Sequence, residues 1–277
     1  KMRLRFLPVS GLCAATAATA AATFHHCAAQ CEESESDADA PTITDLYRKS
    51  LAPYVSSRSA LATQWIKDEE GWTKLPARAW PSYQADVEDI PSIETLLSTT
   101  CPQSGELSSA WTTECSTIKF NLATALVFNN VDHGKGLQMY KELATRKGHA
   151  DSKCAVGVIL VEGLGTDANE KDGLRYLRDA VENDRHPQAM YELGTALYCG
   201  LENILEENEE EAFKQFAAAS EQGHYAGMYM TSDCLLEGIG CSVDVERAMP
   251  LLFDAAISGH RFARQKVREL FTKYVDA

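Results

Sequence analysis

Residues 255–260 read Ala-Ala-Ile-Ser-Gly-His, and the closing Gly-His pair belongs to a pattern that recurs along the chain. Related pairs place histidines at His149, His186, His224 and His260, at spacings of 37, 38 and 36 residues. Two further landmarks keep this register, eight and fourteen residues after the histidines: Gly157, Gly194 and Ser232, and then Gly163, Gly200 and Gly238. A self-similar period of this length predicts stacked structural units.

Each unit is predicted to be a helical hairpin. The helix-periodic stretch 150–162 ends at Gly163-Leu164-Gly165, because glycine readily adopts the left-handed conformation found at helix ends. Sixteen residues before the histidines stand His133, Glu170, Asn208 and Asp244, of which the last two can cap a second helix. Small or apolar residues recur twelve and five residues before the histidines, on one face of that helix: Leu137, Leu174, Ala212 and Ala248, and Ala144, Val181, Ala219 and Ala255.

This pattern resembles the Sel-1-like repeat family, whose units combine Leu-Gly, Gly-x-Gly, an acidic cap and an alanine-rich second helix closing on Gly-His. The best matches are Leu193-Gly194, Gly163-Leu164-Gly165 and Gly238-Ile239-Gly240. Ser232 and Glu202 depart from it, as does the shortened turn at residues 129–132. The resemblance covers about residues 114–277. It implies an all-α, TPR-like α/α solenoid that binds protein or peptide partners along a curved surface.

The predicted organisation follows from this register and from the composition outside it. It comprises a targeting leader or membrane anchor (1–31), an acidic linker (32–43), a helix plus an extended arm rich in proline and tryptophan (44–112), a degenerate first repeat (113–149), three repeats (150–186, 187–224 and 225–260) and a capping helix (261–277).

The overall charge narrows the class of partner. The chain has 26 basic and 40 acidic residues, for a net charge of −14. A nucleic-acid backbone would be repelled, so nucleic-acid binding is disfavoured, whereas a basic peptide or protein would be attracted. An ordinary solvated surface is the alternative explanation.

The amino-terminal segment has the composition of a targeting sequence. Arg3 and Arg5 precede an Ala/Thr-rich apolar run over residues 6–24, and no acidic residue occurs before position 32. Basic, hydroxyl-rich and acid-free composition favours a mitochondrial presequence, and a secretory signal is the alternative. The run is also about long enough to remain as a membrane anchor, so membrane contact is expected there if it is kept.

Residues 40–112 carry six prolines, and all four tryptophans lie within this region or at its edge: Trp65, Trp72, Trp80 and Trp111. Helix is predicted only within residues 44–68, and residues 73–90 are expected to be extended because Pro76, Pro81 and Pro91 interrupt a longer helix. The arm is expected to pack its aromatic residues against the first units, to dock a partner, or to do both.

The nine cysteines include no CxxC pair, which argues against a ribbon-type zinc site and a thioredoxin-like redox pair. Cys101 with Cys115, and Cys234 with Cys241, are candidate disulfides, and reduced packing is the alternative. His25-His26-Cys27 with Cys31 is one arrangement that a soft metal could use, but it lies beside the leader, and no metal site is predicted. The repeat histidines are expected to lie too far apart to share a metal, and to interact with the dipoles of helix carboxyl ends and in loop hydrogen bonds instead.

No catalytic or nucleotide-binding motif stands in the chain, so no enzyme activity, catalytic residue or cofactor is predicted. The expected function is a protein–protein interaction adaptor or assembly factor. The resemblance adds a mitochondrial setting, because the Sel-1-like family includes cysteine-rich members that help to assemble respiratory-chain complexes. Two alternatives remain: an accessory structural subunit of a large mitochondrial membrane complex, and a metal or haem carrier that uses the cysteines.

Overall fold

The computed structural model describes residues 43–57, 87–101, 112–145 and 149–274. Within these ranges the regular structure is helical, apart from one isolated bridge between Leu201 and Leu205. A short 3-10 turn at Val87–Asp89 precedes the second helix. The α-helices are α1 (Ile43–Ser57), α2 (Ile90–Thr100), α3 (Thr113–Phe128), α4 (His133–Ala144), α5 (Ala150–Glu162), α6 (Glu170–Asp184), α7 (Pro187–Cys199), α8 (Glu209–Glu221), α9 (Tyr225–Glu237), α10 (Val245–Ile257) and α11 (Arg261–Tyr274).

Consecutive helices from α3 to α10 form four hairpins: α3 with α4, α5 with α6, α7 with α8, and α9 with α10. Each hairpin packs on the next through α4 and α5, α6 and α7, or α8 and α9. The first helices of neighbouring hairpins also contact each other, α5 with α7 and α7 with α9, more closely than the second helices do. The predicted all-α hairpin solenoid is therefore confirmed, and the first helices lie on the inner side of its curve.

The second helices begin at a side-chain cap. Asn208 and Asp244 accept hydrogen bonds from the backbone N–H groups of Glu211 and Arg247, at 3.0 Å in each case. In the two earlier hairpins the caps are Asp132 and Asn169. Each stands one residue before the position sixteen residues ahead of the closing histidine, where a cap was predicted. The segment from the cap to the closing histidine is thus one residue longer in those hairpins than in the later ones.

Glycine lets the two helices of a hairpin approach closely. A Cβ added at Gly157 would lie 3.1 Å from the Gly173 carbonyl oxygen, on the partner helix of the hairpin. One added at Gly194 would lie 2.7 Å from the ring of Phe216, which is completely buried. Ser232 takes the same place in the next hairpin, where its buried hydroxyl donates to the Tyr229 carbonyl oxygen at 2.7 Å.

Helix α1 packs at the far end of the array, against α10 and α11. Its Tyr47 and Leu51 are buried in the cluster formed by the last repeat and α11, and the Tyr47 ring stacks on Tyr274 at 4.5 Å. The expectation that the arm packs against the first units is therefore wrong for this part of it. From the sequence alone, the apolar stripe formed by positions 47 and 51 could pack at either end of the array.

Helix α2 covers the opposite end of the array. It buries Ile90 and Ile93 against α3, although residues near position 90 were expected to be extended. Pro91 explains the difference, because a proline in the first turn of a helix has no N–H that needs a partner. The disulfide between Cys101 and Cys115, with Cα atoms 5.7 Å apart, joins α2 to α3.

We expect loss of this disulfide to reduce the free energy of unfolding by about 2–3 kcal/mol, because a closed loop of this size restricts the unfolded chain. Urea denaturation of a Cys101→Ala/Cys115→Ala variant measures it. The wild-type protein should lose a similar amount on addition of reductant, whereas Cys199→Ser, which removes a free thiol, should keep the wild-type response. An unchanged urea midpoint in the double variant would contradict the expectation.

Other predictions fall partly outside the described residues. The leader, the acidic linker, the His25–Cys31 arrangement and all four tryptophans lie there. Among the helices that are described, none combines the length and apolar character that crossing a bilayer requires. The second candidate disulfide does not form: Cys234 and Cys241 are free, and the Cys241 thiol points to the Cys234 carbonyl oxygen at 3.5 Å.

Candidate protein-interaction face

The inner side of the array carries a row of exposed and half-buried side chains from α5, α7 and α9. We name it the first-helix face. The residues that define it are carboxylates, tyrosines and one thiol: Glu162, Glu192, Asp233 and Glu237, then Tyr191, Tyr198 and Tyr229, and Cys199.

The repeat histidines position the first helices that carry this face. The Nδ1 atoms of His186, His224 and His260 accept hydrogen bonds from backbone N–H groups three residues later, at 3.1–3.2 Å. Each histidine is thus the amino-terminal cap of the next first helix. The expectation that the rings interact with the dipoles of helix carboxyl ends is wrong for Nδ1. A histidine Nδ1 atom that accepts a hydrogen bond belongs to a neutral ring, which has no positive charge to interact with a carboxyl end.

The other ring nitrogen links successive repeats. With Nδ1 accepting, Nε2 carries the proton, and in His186 it donates to Asp151 at 3.1 Å. In His224 it donates to the Gln188 side-chain oxygen at 2.7 Å. Asp151 and Gln188 both lie two residues after the preceding repeat histidine, so the same bond recurs from one repeat to the next.

Aromatic rings add a second link between repeats. Tyr191 lies 5.3 Å from His224, and Tyr229 stacks on His260 at 4.5 Å, measured between ring centroids. Burial, reinforced by neighbouring histidine or arginine, lowers the pKa of both His224 and His260 to about 4. Both rings are therefore neutral at pH 7, as their capping role requires.

Glu192 lies at the centre of the face. Its carboxylate accepts a hydrogen bond from the Gln188 side-chain nitrogen at 2.6 Å, which continues the chain of contacts from His224. Burial, with a further contribution from the negative charge of Glu162, raises the pKa of Glu192 to about 7. The carboxyl group is therefore only partly ionised near neutral pH, and a cation beside it would favour the ionised form.

Lys266 of α11 balances the negative charge at one end of the face. Its ammonium group lies 3.2 Å from Asp233 and 3.0 Å from Glu237. Burial opposes its charge, but the two carboxylates outweigh this and hold the pKa of Lys266 above its usual value. On α5, Lys153 pairs with Asp179 and Asp184 of α6.

The free cysteines of the described ranges do not form a metal centre. Cys154 and Cys234 are buried, and Cys199 is exposed at the end of α7. Burial raises the pKa of the Cys234 thiol to about 12 and also raises that of Cys199, so both are protonated thiols at pH 7. Across the described residues, no three His, Cys, Asp or Glu side chains converge as metal ligands would.

A family model described as Sel1 repeat matches residues 150–184, 187–224 and 226–260. Residues 150–260 therefore match three consecutive Sel1 repeats. They comprise α5 to α10, with the loops that join them. Sel1 repeats are generally scaffolds for protein–protein interaction and are typically non-catalytic.

Two solved structures are similar to this chain. A Sel1 repeat protein from Oxalobacter formigenes is 20% identical, with a TM-score of 0.49, over 68% of this chain and 50% of that one. The protein c5321, a protective antigen of uropathogenic Escherichia coli strains with an SLR fold, is 18% identical, with a TM-score of 0.49, over 63% and 34%. This chain therefore spans half or less of their length. None of the curated protein sequences is detectably similar to it.

The sequence pattern located the Sel1 repeats but not the first-helix face. The carboxylates of the face were not singled out, because acidic residues occur throughout the chain. A signal was nevertheless present: Tyr191 and Tyr229 both stand five residues after a repeat histidine, and Glu162, Cys199 and Glu237 stand thirteen residues after one. These positions become a surface only once the first helices are known to lie side by side.

Proposed function

We propose that this protein is a non-enzymatic adaptor or assembly factor that holds a basic segment of a partner protein against the first-helix face. The observation that carries the proposal is that each of α5, α7 and α9 contributes at least one carboxylate to this face, and that two of these carboxylates already bind a cation, Lys266. Tyrosines between them supply rigid contact area with a hydrogen-bonding tip, a composition common in protein interfaces.

The proposed compartment is the mitochondrion, with the intermembrane space or inner membrane favoured and the secretory pathway as the alternative. The disulfide between Cys101 and Cys115 supports either compartment, because such bonds persist where the environment is oxidising. The basic, acid-free composition of residues 1–31 favours the mitochondrion over the secretory route. The partner is proposed to belong to a multi-subunit membrane complex of the respiratory chain.

A stable accessory subunit of such a complex is the second proposal for this chain. The net charge of −14 favours the adaptor, since it would attract a basic segment of a partner protein. Co-purification separates the two proposals. A complex of fixed stoichiometry that survives high salt would favour the accessory subunit. Association that is transient and limited to assembly would favour the adaptor.

The experiment is proximity labelling with the full-length protein in its own cells. The wild type is compared with a Glu162→Lys variant, which changes the charge of the face, and with Glu182→Lys on the outer surface of α6. We expect defined neighbours to be labelled by the wild type and the control and to be lost with the face variant. Neighbours labelled equally by all three would contradict the proposal. The identity of the labelled proteins reports the compartment at the same time.

A further inference from the structure

The hydrogen bond that links successive repeat histidines is missing at the last junction. At the two earlier junctions, Nε2 of the histidine donates to the residue two places after the preceding histidine: to a carboxylate oxygen of Asp151 at 3.1 Å and to the side-chain oxygen of Gln188 at 2.7 Å. The equivalent residue for His260 is Ala226, whose side chain carries no acceptor. Nδ1 of His260 still caps α11. Its Nε2 atom therefore carries the proton and has no hydrogen-bond partner among the described residues.

Aromatic rings surround this donor. The ring centroids of Tyr225, Tyr229 and Phe262 lie 5.7, 4.5 and 6.0 Å from that of His260. Phe262 is 54% exposed, and the two tyrosine hydroxyl groups have no hydrogen-bond partner within the part of the chain that the structure describes. Neither these hydroxyl groups nor Nε2 of His260 is sealed from solvent. We name these four residues the terminal patch, which shares Tyr229 with the first-helix face.

The charge beside the terminal patch is opposite to that of the repeats. Residues 150–260 carry 21 acidic and seven basic residues, whereas α11, which begins at the patch, carries five basic residues and one acidic residue. Arg261 is exposed, and its guanidinium group lies 5.8 Å from the centre of the aromatic ring that follows it. Burial, then His224 and Arg264, lower the pKa of His260, and no carboxylate of the described ranges acts on it. Electrostatic complementarity therefore favours an acidic ligand at the patch.

The earlier junctions indicate which chemical group suits the patch. Asp151 and Gln188 place an oxygen beside the next histidine, and Ala226 supplies none. A ligand carboxylate in that position would accept the Nε2 hydrogen bond, and its charge would strengthen the bond. An aromatic side chain next to the carboxylate would pack on the exposed ring of Phe262, as aromatic pairs commonly do. A basic side chain would instead meet Arg261 and would find no carboxylate in the patch.

We propose that the terminal patch binds a carboxylate that stands next to an aromatic side chain in an acidic segment of a partner protein. His260 donates its Nε2 hydrogen bond to the carboxylate, Arg261 supplies the opposite charge, and Phe262 contacts the neighbouring ring. This site lies beside the surface that the proposed function assigns to a basic segment, and it takes the opposite charge. Its failure therefore leaves capture of a basic segment open, and loss of that capture leaves the terminal patch open.

The first test is isothermal titration calorimetry of the full-length protein with the peptide Gly-Phe-Asp-Phe-Gly, blocked at both ends so that the Asp carboxylate is its only charge. We expect saturable binding to one site, and binding at least about tenfold weaker when Asn replaces Asp, because a charge-assisted hydrogen bond is lost. Arg261→Gln and Phe262→Ser should each weaken binding at least about fivefold. Arg175→Gln is the matched control, since Arg175 is exposed and lies 5.2 Å from the ring of the next residue, Tyr176. No binding, or equal binding of the Asp and Asn peptides, would overturn the proposal.

The second test supplies the missing oxygen from the chain itself. Ala226→Gln reproduces the arrangement at Gln188, a residue that is buried in the equivalent position. We expect this variant to have a higher urea midpoint than Ala226→Leu, which is similar in size but has no acceptor, and to bind the Asp peptide at least about tenfold more weakly than the wild type. The difference in midpoint should shrink when both variants also carry His260→Asn. Unchanged peptide affinity in Ala226→Gln, or a midpoint difference that does not depend on His260, would contradict the proposal. Circular dichroism of every variant verifies that the helical array is intact.

Discussion

Gly194→Val should reduce the free energy of unfolding by about 3 kcal/mol or more, the largest effect expected of any single substitution in the repeats. The added Cβ would lie 2.7 Å from the Phe216 ring and 3.3 Å from the Ala212 carbonyl oxygen. Phe216 is fully buried and cannot move aside without disturbing its own cluster. Overpacking of this kind typically costs about 1–3 kcal/mol, and the branched methyl groups of valine add to the overlap. Urea denaturation followed by circular dichroism measures the change.

Two further variants separate overpacking from a general intolerance of valine. Gly134 lies exposed in α4, where an added Cβ would meet only the Asp132 carboxylate at 3.6 Å, so Gly134→Val should change stability little. Combining Gly194→Ala with Phe216→Leu should cost less than the sum of the two single changes, because the smaller side chain makes room for the methyl group. Strict additivity would show that the ring is not what excludes a side chain at position 194.

Acidification should destabilise the array through its capping histidines. His224 and His260 have a folded pKa of about 4 against an ordinary value of 6.5, so the unfolded chain binds more protons between these two values. Stability is therefore fully present above about pH 6.5 and is lost as the pH falls towards 4. A shift of this size corresponds to about 3 kcal/mol for each histidine. Denaturation midpoints recorded between pH 4 and 7 test this.

Glu192 acts in the opposite direction. Its folded pKa of about 7 exceeds its ordinary value of 4.5, so its contribution to stability is present below about pH 4.5 and is lost as the pH rises through 7. Glu192→Gln should therefore steepen the loss of stability on acidification, and it should stabilise the protein at pH 8.

Asn is a good cap but does not titrate in this range, so His224→Asn/His260→Asn should flatten the pH dependence. Equal slopes in all three proteins would refute the assignment.

The repeat architecture could be predicted from the sequence because its signals are local. Glycines at turns, capping residues and small residues on one helical face each depend on a few neighbours along the chain. Gly163 and Gly238, with φ of 68° and 74°, adopt the left-handed conformation that a helix end of this kind requires. Asn208 and Asp244 cap second helices because short polar side chains can accept the free N–H groups of the first turn.

Features that depend on distant contacts were harder to predict. Nothing near Tyr47 and Leu51 in the sequence indicates that their partners lie in α10 and α11. The histidines were recognised as landmarks, but their capping role depends on the neutral ring and on partners one repeat away, such as Gln188. The first-helix face depends on three helices lying side by side, so its acidic character emerges only after the array is assembled.

The packing of α1 on α10 and α11 also affects the order in which parts of the molecule can fold during synthesis. Arg48 donates a hydrogen bond to the Tyr274 carbonyl oxygen across 226 positions of sequence, so this contact must wait until residue 274 has left the ribosome. Until then, Tyr47 and Leu51 of the early product have no native surface to cover them. A nascent chain stalled before residue 261 should therefore expose both residues and become a target for chaperones, even though its repeats are already complete.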